Sequence, residues 1–377
     1  MSADRDCAAC PPQMQRSPMK IFSCQICGNV LYFENRTCGR CGHKLGYDPA
    51  REILVALESE GRGFRAVDTG ARRFFCLNAA QDACNWLLPE NQDGCFCLAC
   101  RHNGTVPDLS VPSSLARWRE LEAAKHRLLY SLLRWRLPLH TRAEDPKHGL
   151  IFNFLADTPA ARIMTGHENG VVTIALAEAD EIERERRRIE MGEPYRTLLG
   201  HFRHEVGHHY WDLLVRDGGE LASCRRCFGD DTQDYQTALE QHYHEGPPAD
   251  WQDRFVSAYA SVHPWEDFAE TWAHYLHIID TLEMAGNFGI QVHPAAGRCE
   301  DLSARIDFDP YTVANFDHVV RSWLPFVFAM NSVNRAIGSR DLYPFVLAPP
   351  VIEKLKFIHG LIQRRRLGAS APESRAA

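Results

Sequence analysis

No apolar run in this 377-residue chain approaches the ~18 residues that a membrane-crossing helix needs. The longest candidate, Trp323–Met330, is short and is interrupted by Pro325. No membrane partner is expected. Residues 1–18 hold no apolar stretch of the signal-peptide kind, so the expected location is cytoplasmic. Nor is there a large excess of one charge: 42 Lys and Arg stand against 49 Asp and Glu, a net −7. The balance is uneven, with 20 basic and 16 acidic residues in 1–150 but 22 and 33 in 151–377. An acidic body argues against sequence-independent binding of nucleic acid, which is not an expected partner. At 45% hydrophobic and 24% charged, the composition is that of an ordinary globular protein and excludes global disorder, collagen and a coiled coil. At roughly 100–200 residues per domain, the length allows two or three domains.

Cysteine, by contrast, is abundant. There are 14, eleven of them within the first 100 residues. Close Cys pairs in a chain without a secretion signal read as metal sites rather than disulfides. Cys24-x-x-Cys27 and Cys38-x-x-Cys41, ten residues apart, can place four thiolates around one Zn²⁺. With Val30–Phe33 as a strand between them, this predicts a zinc ribbon over 19–48. Cys76, Cys84, Cys97 and Cys100 form a less regular second set, with Cys95 and His102 as substitutes for one ligand. They predict a second, irregular ribbon-like structural zinc region over 49–110. No tract in either region is long enough for a large core, so metal is expected to hold them folded. Cys7-x-x-Cys10 and Cys224-x-x-Cys227 lack a second pair and read as incidental thiols. Residues 1–18 and 368–377 read as disordered tails, with Met19 a candidate true start.

From 111 to 367 the pattern is mainly helical. Helices are expected over 113–136, 178–191, 194–215, 251–261 and 265–282, with further helices towards 367. On the first, Leu115, Trp118, Leu121, His126, Leu129 and Leu132 recur near helical spacing. Leu150–Leu155 and Val171–Leu176 flank an Asn169-Gly170 turn signal and predict a small β-structure. Residues 218–250 read as loop-rich. The fold class is α+β: an N-terminal zinc-ribbon module followed by a mainly helical domain with a small sheet.

The chemistry concentrates in His204-Glu205-Val206-Gly207-His208, an H-E-x-x-H inside a strong helical pattern. Residues four apart share a helix face, so both imidazoles can reach one metal, and Glu205 can act on a water as general base. A catalytic zinc takes three protein ligands and keeps one position open. Glu266, 58 residues after His208, is the best third ligand, with His263 and His274 as rivals. Glu270, one turn further, can accept a hydrogen bond from the second nitrogen of a ligand histidine. His201 and His209 read as supporting or exposed residues, and Asp230 or Asp231 could orient a histidine.

The Glu266-x-x-x-Glu270 spacing resembles the glutamate-zincin pattern and looks like that of the anthrax lethal factor group. That resemblance makes Tyr259, seven residues before Glu266, a candidate oxyanion stabiliser. From Met19 onward the chain resembles a bacterial family of zinc-ribbon proteins described as zinc-binding metallopeptidases. The segments that carry the likeness include Phe22–Gly28, Cys38–Tyr47, Cys84–Leu87, Cys97–Cys100, Arg203–His208, Phe228–Asp230 and His263–His274. It implies a zincin-like metallopeptidase, whose domain is read here over 111–367 and acts on a peptide or protein; the ribbons are expected to dock substrate or a protein partner. The cofactor expected is Zn²⁺, one catalytic ion and one or two structural ones. The rival expectation is a zinc-stabilised binding or regulatory protein that does no chemistry; the complete His-Glu-His-Glu set argues against it, because a scaffold does not require Glu205. Val171–Leu176 is the expected exposed edge along which an extended peptide would add as a strand.

Overall fold

Glycine follows each Cys-x-x-Cys of the first set, and the backbone there explains why. Gly28 and Gly42 have φ of +70° and +75°, the left-handed region that glycine enters without a steric penalty. Their amides donate to the carbonyls of Cys24 and Cys38, both at 2.9 Å, and so close two matching knuckles. The structure, a computed structural model, describes residues 21–158, 161–190, 197–295 and 302–369. Met19, Cys7, Cys10 and the expected tails lie outside these residues, except for 368–369, which end the last helix. The chain forms two compact units. Of the described residues, the first unit holds 21–75 and 85–93, and the second holds 76–84 and everything from 94.

In the first unit, β1 (Ile21–Ser23) and β2 (Val30–Tyr32) form a hairpin around the first knuckle. Then β3 (Lys44–Asp48), β4 (Ile53–Glu60), β5 (Gly63–Ala66), β6 (Arg72–Phe75) and β7 (Leu87–Pro89) make a five-stranded antiparallel meander in sequence order. Val55, Leu57, Ala66 and Leu87 pack on one of its faces. Tyr47 packs edge-on against Phe33 and tilted against Trp86, with ring centroids 4.8 and 4.9 Å away. The Gln25 amide joins knuckle to sheet, accepting from Ala56 N at 2.7 Å and donating to Leu54 O at 2.8 Å. This sheet is a core that the sequence reading did not find. Its strands are short and separated by charged turns, so none stands out alone. The expected boundary at 48/49 falls inside the β3–β4 pairing, where Asp48 opposes Ile53. The expected region 49–110 is likewise divided, its sheet residues in the first unit and its cysteines in the second.

The second unit opens with the second cysteine set and α1 (Pro112–Arg134), which has proline in its first turn and buries Trp118, Leu121, Leu128, Leu129 and Leu132. Three strands follow: β8 (Ile151–Leu155), β9 (Gly166–Glu168) and β10 (Val171–Ala175). Asn169 and Gly170, with φ of +48° and +80°, make the expected two-residue turn. The sheet order is β8-β10-β9. Strand β10 is therefore interior, parallel to β8 and antiparallel to β9, which corrects its expected place at an edge. The edges are β8, which residues 104 and 105 partly cover by hydrogen bonds to Phe152 and Phe154, and β9, a strand too short to show period-2 alternation.

The helices are α2 (Glu181–Glu190), α3 (Leu198–Tyr210), α4 (Leu221–Phe228), α5 (Tyr235–Glu245), α6 (Trp251–Arg254) and α7 (Pro264–Asn287). A two-stranded ribbon, β11 (Gln291–Val292) with β12 (Ala304–Arg305), precedes α8 (Phe316–Ala336) and α9 (Pro349–Ala369). The stretch read as loop-rich contains α4 and α5, and the helix expected over 251–261 is a single turn at α6. No helix among the described residues is long and apolar enough to cross a membrane.

Helices α3 and α7 form the centre of this unit. Phe202 of α3 packs against Phe152 of β8, and Tyr210 stacks on Trp272 of α7 with ring centroids 5.0 Å apart. At Gly207 a Cβ would stand 2.9 Å from the Ala269 Cα, so glycine lets the two backbones touch. Beneath the crossing, Asp280 accepts from Arg203, from Tyr311 and, at 2.9 Å, from the Ser131 hydroxyl. That network fixes α1, α3 and α7 together.

Candidate metal centres

Thr197 caps α3, its hydroxyl accepting from Gly200 N at 3.0 Å. Two turns on His204, and a turn later His208, emerge on one face. His263 caps α7 by accepting from Trp265 N at 3.1 Å, and Pro264 begins the helix. Glu266 and Glu270 follow on the face turned to α3. The crossing at Gly207 and Ala269 brings the two pairs together. His204 Nε2 stands 3.1 Å from His208 Nε2 and 3.0 Å from Glu266 Oε2, and His208 Nε2 stands 3.5 Å from the same oxygen.

The tautomers follow from the neighbours. His204 Nδ1 lies 2.7 Å from Glu270 Oε1, an oxygen that accepts, so Nδ1 carries the proton and Nε2 turns its lone pair inward. Glu270 is held in turn by the Ser257 hydroxyl, which donates to Oε2 at 2.6 Å. Tyr235 of α5 donates to Glu266 Oε1 at 2.7 Å, and Tyr259 is hydrogen-bonded to Tyr235. Glu266 Oε2 is buried and faces the two imidazole nitrogens. Two imidazole nitrogens and this oxygen thus converge. Donors ~2.0–2.1 Å from a tetrahedral zinc stand about 3.3 Å apart, and the three separations bracket that figure. The set fits the ion.

The electrostatics agree. Burial pushes the Glu266 carboxyl up, but the two imidazoles outweigh it and hold it well below the usual range. Burial likewise opposes ionisation of Glu270, yet His204 and Ser257 hold it down at about 2. Two ionised carboxylates therefore flank the imidazoles and favour positive charge between them. Burial pushes the Tyr259 hydroxyl far up, so it stays a hydrogen-bond donor at any physiological pH. Glu205 is buried beside His204, and its charge reaches Tyr235. Trp265 lies over His208 with ring centroids 3.7 Å apart.

The rival ligands are engaged elsewhere. His263 spends one nitrogen as the α7 cap and the other on Gln233 O at 3.2 Å. His274 Nδ1 pairs with Tyr343 OH at 2.7 Å, two turns along the helix from Glu266. His201 faces Glu178 at 3.3 Å. Asp231 pairs with Arg225 and Asp230 caps Thr232, so neither orients a histidine.

The cysteines form two further groups. Cys24, Cys27, Cys38 and Cys41 converge, as do Cys76, Cys84, Cys97 and Cys100, the sulfurs of each set within 4.8 Å of one another. Individual separations of 3.6–3.7 Å match the ~3.8 Å edge of a tetrahedron of thiolates around zinc. The two proposed substitutes stay out: Cys95 is exposed, and His102 is buried with its Nδ1 on Leu150 O at 2.9 Å. Cys224 and Cys227 lie on α4 outside any such group among the described residues, and burial pushes their thiols up to about 12 and about 11.

Residues 114–361 match a family described as "Putative zinc-binding metallo-peptidase". That segment is well over half of the chain. The chain belongs to this family. Residues 21–111 match a zinc-ribbon domain, and both descriptions, together with the cysteine groups, support zinc binding by this metallopeptidase-family chain. Uncharacterised proteins of Mycobacterium tuberculosis strain H37Rv and of Mycobacterium bovis are each 42% identical over 345 residues, which is 91% of this chain and 95% of theirs. No solved structure matches.

Within the metallopeptidase segment, several residues at the site escaped the sequence reading. Tyr235 sits on a helix whose pattern is weak, 31 residues before the carboxylate it holds. Ser257 acts by a hydrogen bond to Glu270 and Trp265 by packing on His208, and neither had a local signal. His126 was placed on the apolar face of α1, but Glu122 and Lys125 share that buried region. Three ionisable residues on one buried face were the available sign that it meets something other than a hydrocarbon core.

Proposed function

We propose that the chain is a zinc-dependent peptidase whose catalytic ion is held by His204, His208 and Glu266. One observation carries this reading: three donor atoms converge at zinc-ligand spacing, with the buried Glu205 next to His204 on the same helix. A zinc ion there supplies Lewis-acid polarisation of a carbonyl and lowers the pKa of a bound water to ~7. Glu205 accepts the proton of the attacking water and returns it to the leaving nitrogen. Glu270 fixes the His204 tautomer, and Tyr235 turns Glu266 so that Oε2 faces the imidazoles. Tyr259 donates to the developing oxyanion. An extended peptide aligns along β9, the strand on the sheet edge that carries His167 beside His208, with ring centroids 6.1 Å apart. The ribbon unit docks a protein substrate or partner.

The test is Glu205→Gln. The amide keeps the shape but cannot take the proton, so metal content stays at the wild-type value while peptide hydrolysis falls by at least ~10³. Hydrolysis at the wild-type rate would overturn the mechanism.

A further inference from the structure

Helix α5 fully buries none of its 11 residues. Its half-buried side chains are Tyr235, Ala238, Leu239 and His242, and the rest of the helix is exposed. Their spacings of 3, 1 and 3 put all four on one stripe. That stripe is turned to the His204–His208–Glu266 set. Tyr235 donates to Glu266 Oε1 at 2.7 Å and its ring lies 5.7 Å from that of Trp265, while the His242 ring lies 6.4 Å from that of Tyr259. A helix this short is held by packing rather than by propensity. One whose inner stripe is only half covered belongs to the part of a fold that opens readily on its own.

The segment is pinned on both sides of α5 and lightly held between the pins. Before it, Asp231 pairs with Arg225 of α4 at 2.5 Å. After it, the Arg254 carbonyl accepts from the buried Lys354 of α9 at 2.7 Å. Between them, the Gln233 carbonyl accepts from His263 Nε2 at 3.2 Å, and Tyr235 rests on Glu266. Gly246 ends α5 with φ +79° and ψ −179°, backbone that essentially only glycine adopts. Pro247 and Pro248 follow and have no N–H with which to tie this end down. A chain fixed at two points, with a glycine bend between them, can lift its middle without disturbing either anchor.

We propose that α5 is a hinged lid over the candidate zinc centre, closed in this structure, with the Tyr235–Glu266 hydrogen bond as its latch. Trp265, which covers His208, meets Tyr235 on one side and His167 of β9 on the other, at 5.7 and 6.3 Å between ring centroids. Lid and sheet edge therefore flank the same ring. Opening lifts Tyr235 off Glu266. Because Tyr259 is hydrogen-bonded to Tyr235, opening also releases the Tyr259 hydroxyl. The functional consequence rests on the peptidase reading: an extended peptide enters along β9 while the lid is up, and the released Tyr259 turns to the oxyanion.

The test is fluorine NMR of the full, zinc-loaded chain carrying 3-fluorotyrosine, with no substrate present. Tyr→Phe variants identify the Tyr235 and Tyr259 resonances. Both should exchange between two environments at one common rate on the μs–ms scale of lid motion, whereas Tyr130 and Tyr275, buried in α1 and α7, should not. Gly246→Ala strains the closed hinge and should raise the open population at least about tenfold. Leu239→Ser weakens the stripe from the other end of the argument and should act in the same direction. A Tyr235 resonance free of exchange and unmoved by both variants would overturn the lid, as would equal broadening of Tyr130 and Tyr275. No turnover is needed for this readout, so exchange at Tyr235 in a chain that cleaves nothing would uphold the lid and count against the peptidase reading alone.

Discussion

One hydroxyl separates two roles for the tyrosines near Glu266. Tyr235 donates directly to the carboxylate, whereas Tyr259 reaches it only through Tyr235 and lies beside His204, ring centroids 6.0 Å apart. Tyr235→Phe leaves Glu266 Oε1 without its donor, so zinc affinity should fall ~10–100-fold in chelator competition. Tyr259→Phe should leave zinc content unchanged and lower kcat ~10²–10³-fold with little change in KM, the signature of a donor used in the transition state. If Tyr259→Phe lost metal while keeping kcat per bound zinc, the roles would be reversed. His204 and His208 were legible because helical spacing puts them on one face, Glu205 because it stands between them in the H-E-x-x-H pattern, and Glu266 because a proline marks the helix start just before it. Tyr235 was not, because nothing in a helical period tells which side chain reaches a partner on another helix.

At the scale of elements, the site depends on how closely α3 and α7 approach. In an exposed helix, Gly→Ala stabilises by about 1 kcal/mol through propensity. At Gly207 the added methyl would meet the Ala269 backbone at 2.9 Å, and backbone cannot step aside as a flexible side chain does. Overpacking of this kind costs about 1–3 kcal/mol, so the sign reverses. Gly207→Ala should lower Tm by several degrees and weaken zinc binding at the His204 centre, because Glu266 moves away with α7. A Tm at or above wild type would show that the helices can separate freely. The long helices α1, α3 and α7 were readable from their periodic apolar faces. The five strands β3–β7 were not, since each is short and what defines them is pairing with a neighbour. Strand β10 was read correctly as a strand and wrongly as an edge, because sheet order is a property of the whole chain and the decisive partner, β9, has only three residues.

Across the whole molecule, the two units were half legible: the cysteine spacing marked a ribbon-rich front and a helical body, but the second cysteine group folds with the body. That body also buries neutral histidines, and they give it a pH dependence. Burial pushes His102 and His274 down to about 4 and His209 to about 3, against an unfolded value of 6.5. Below pH 6.5 the unfolded chain takes up protons that these three refuse when folded, so stability is full above pH 6.5 and falls as pH drops towards about 4. Asp267 runs the other way: burial, only partly offset by Lys354, raises it to about 7 from 3.8, so it favours the folded state as pH falls through that range. These three against Asp267 leave a net of about two protons, and His167, pushed down to about 3 by burial, adds a third, about 4 kcal/mol per pH unit at the steepest point. Against a total of roughly 5–15 kcal/mol, this removes a large part of the body's stability between pH 6.5 and 4.5. Glu270, held at about 2, adds its own loss only below about pH 4.5. The check is the urea midpoint measured from pH 7.5 to 5.0 at two free-zinc concentrations. Raising zinc shifts any loss that comes from protonating metal ligands, whereas the histidine-linked slope persists. A midpoint flat from pH 7 to 5, or a fall that added zinc removes completely, would show that the buried histidines carry none of it.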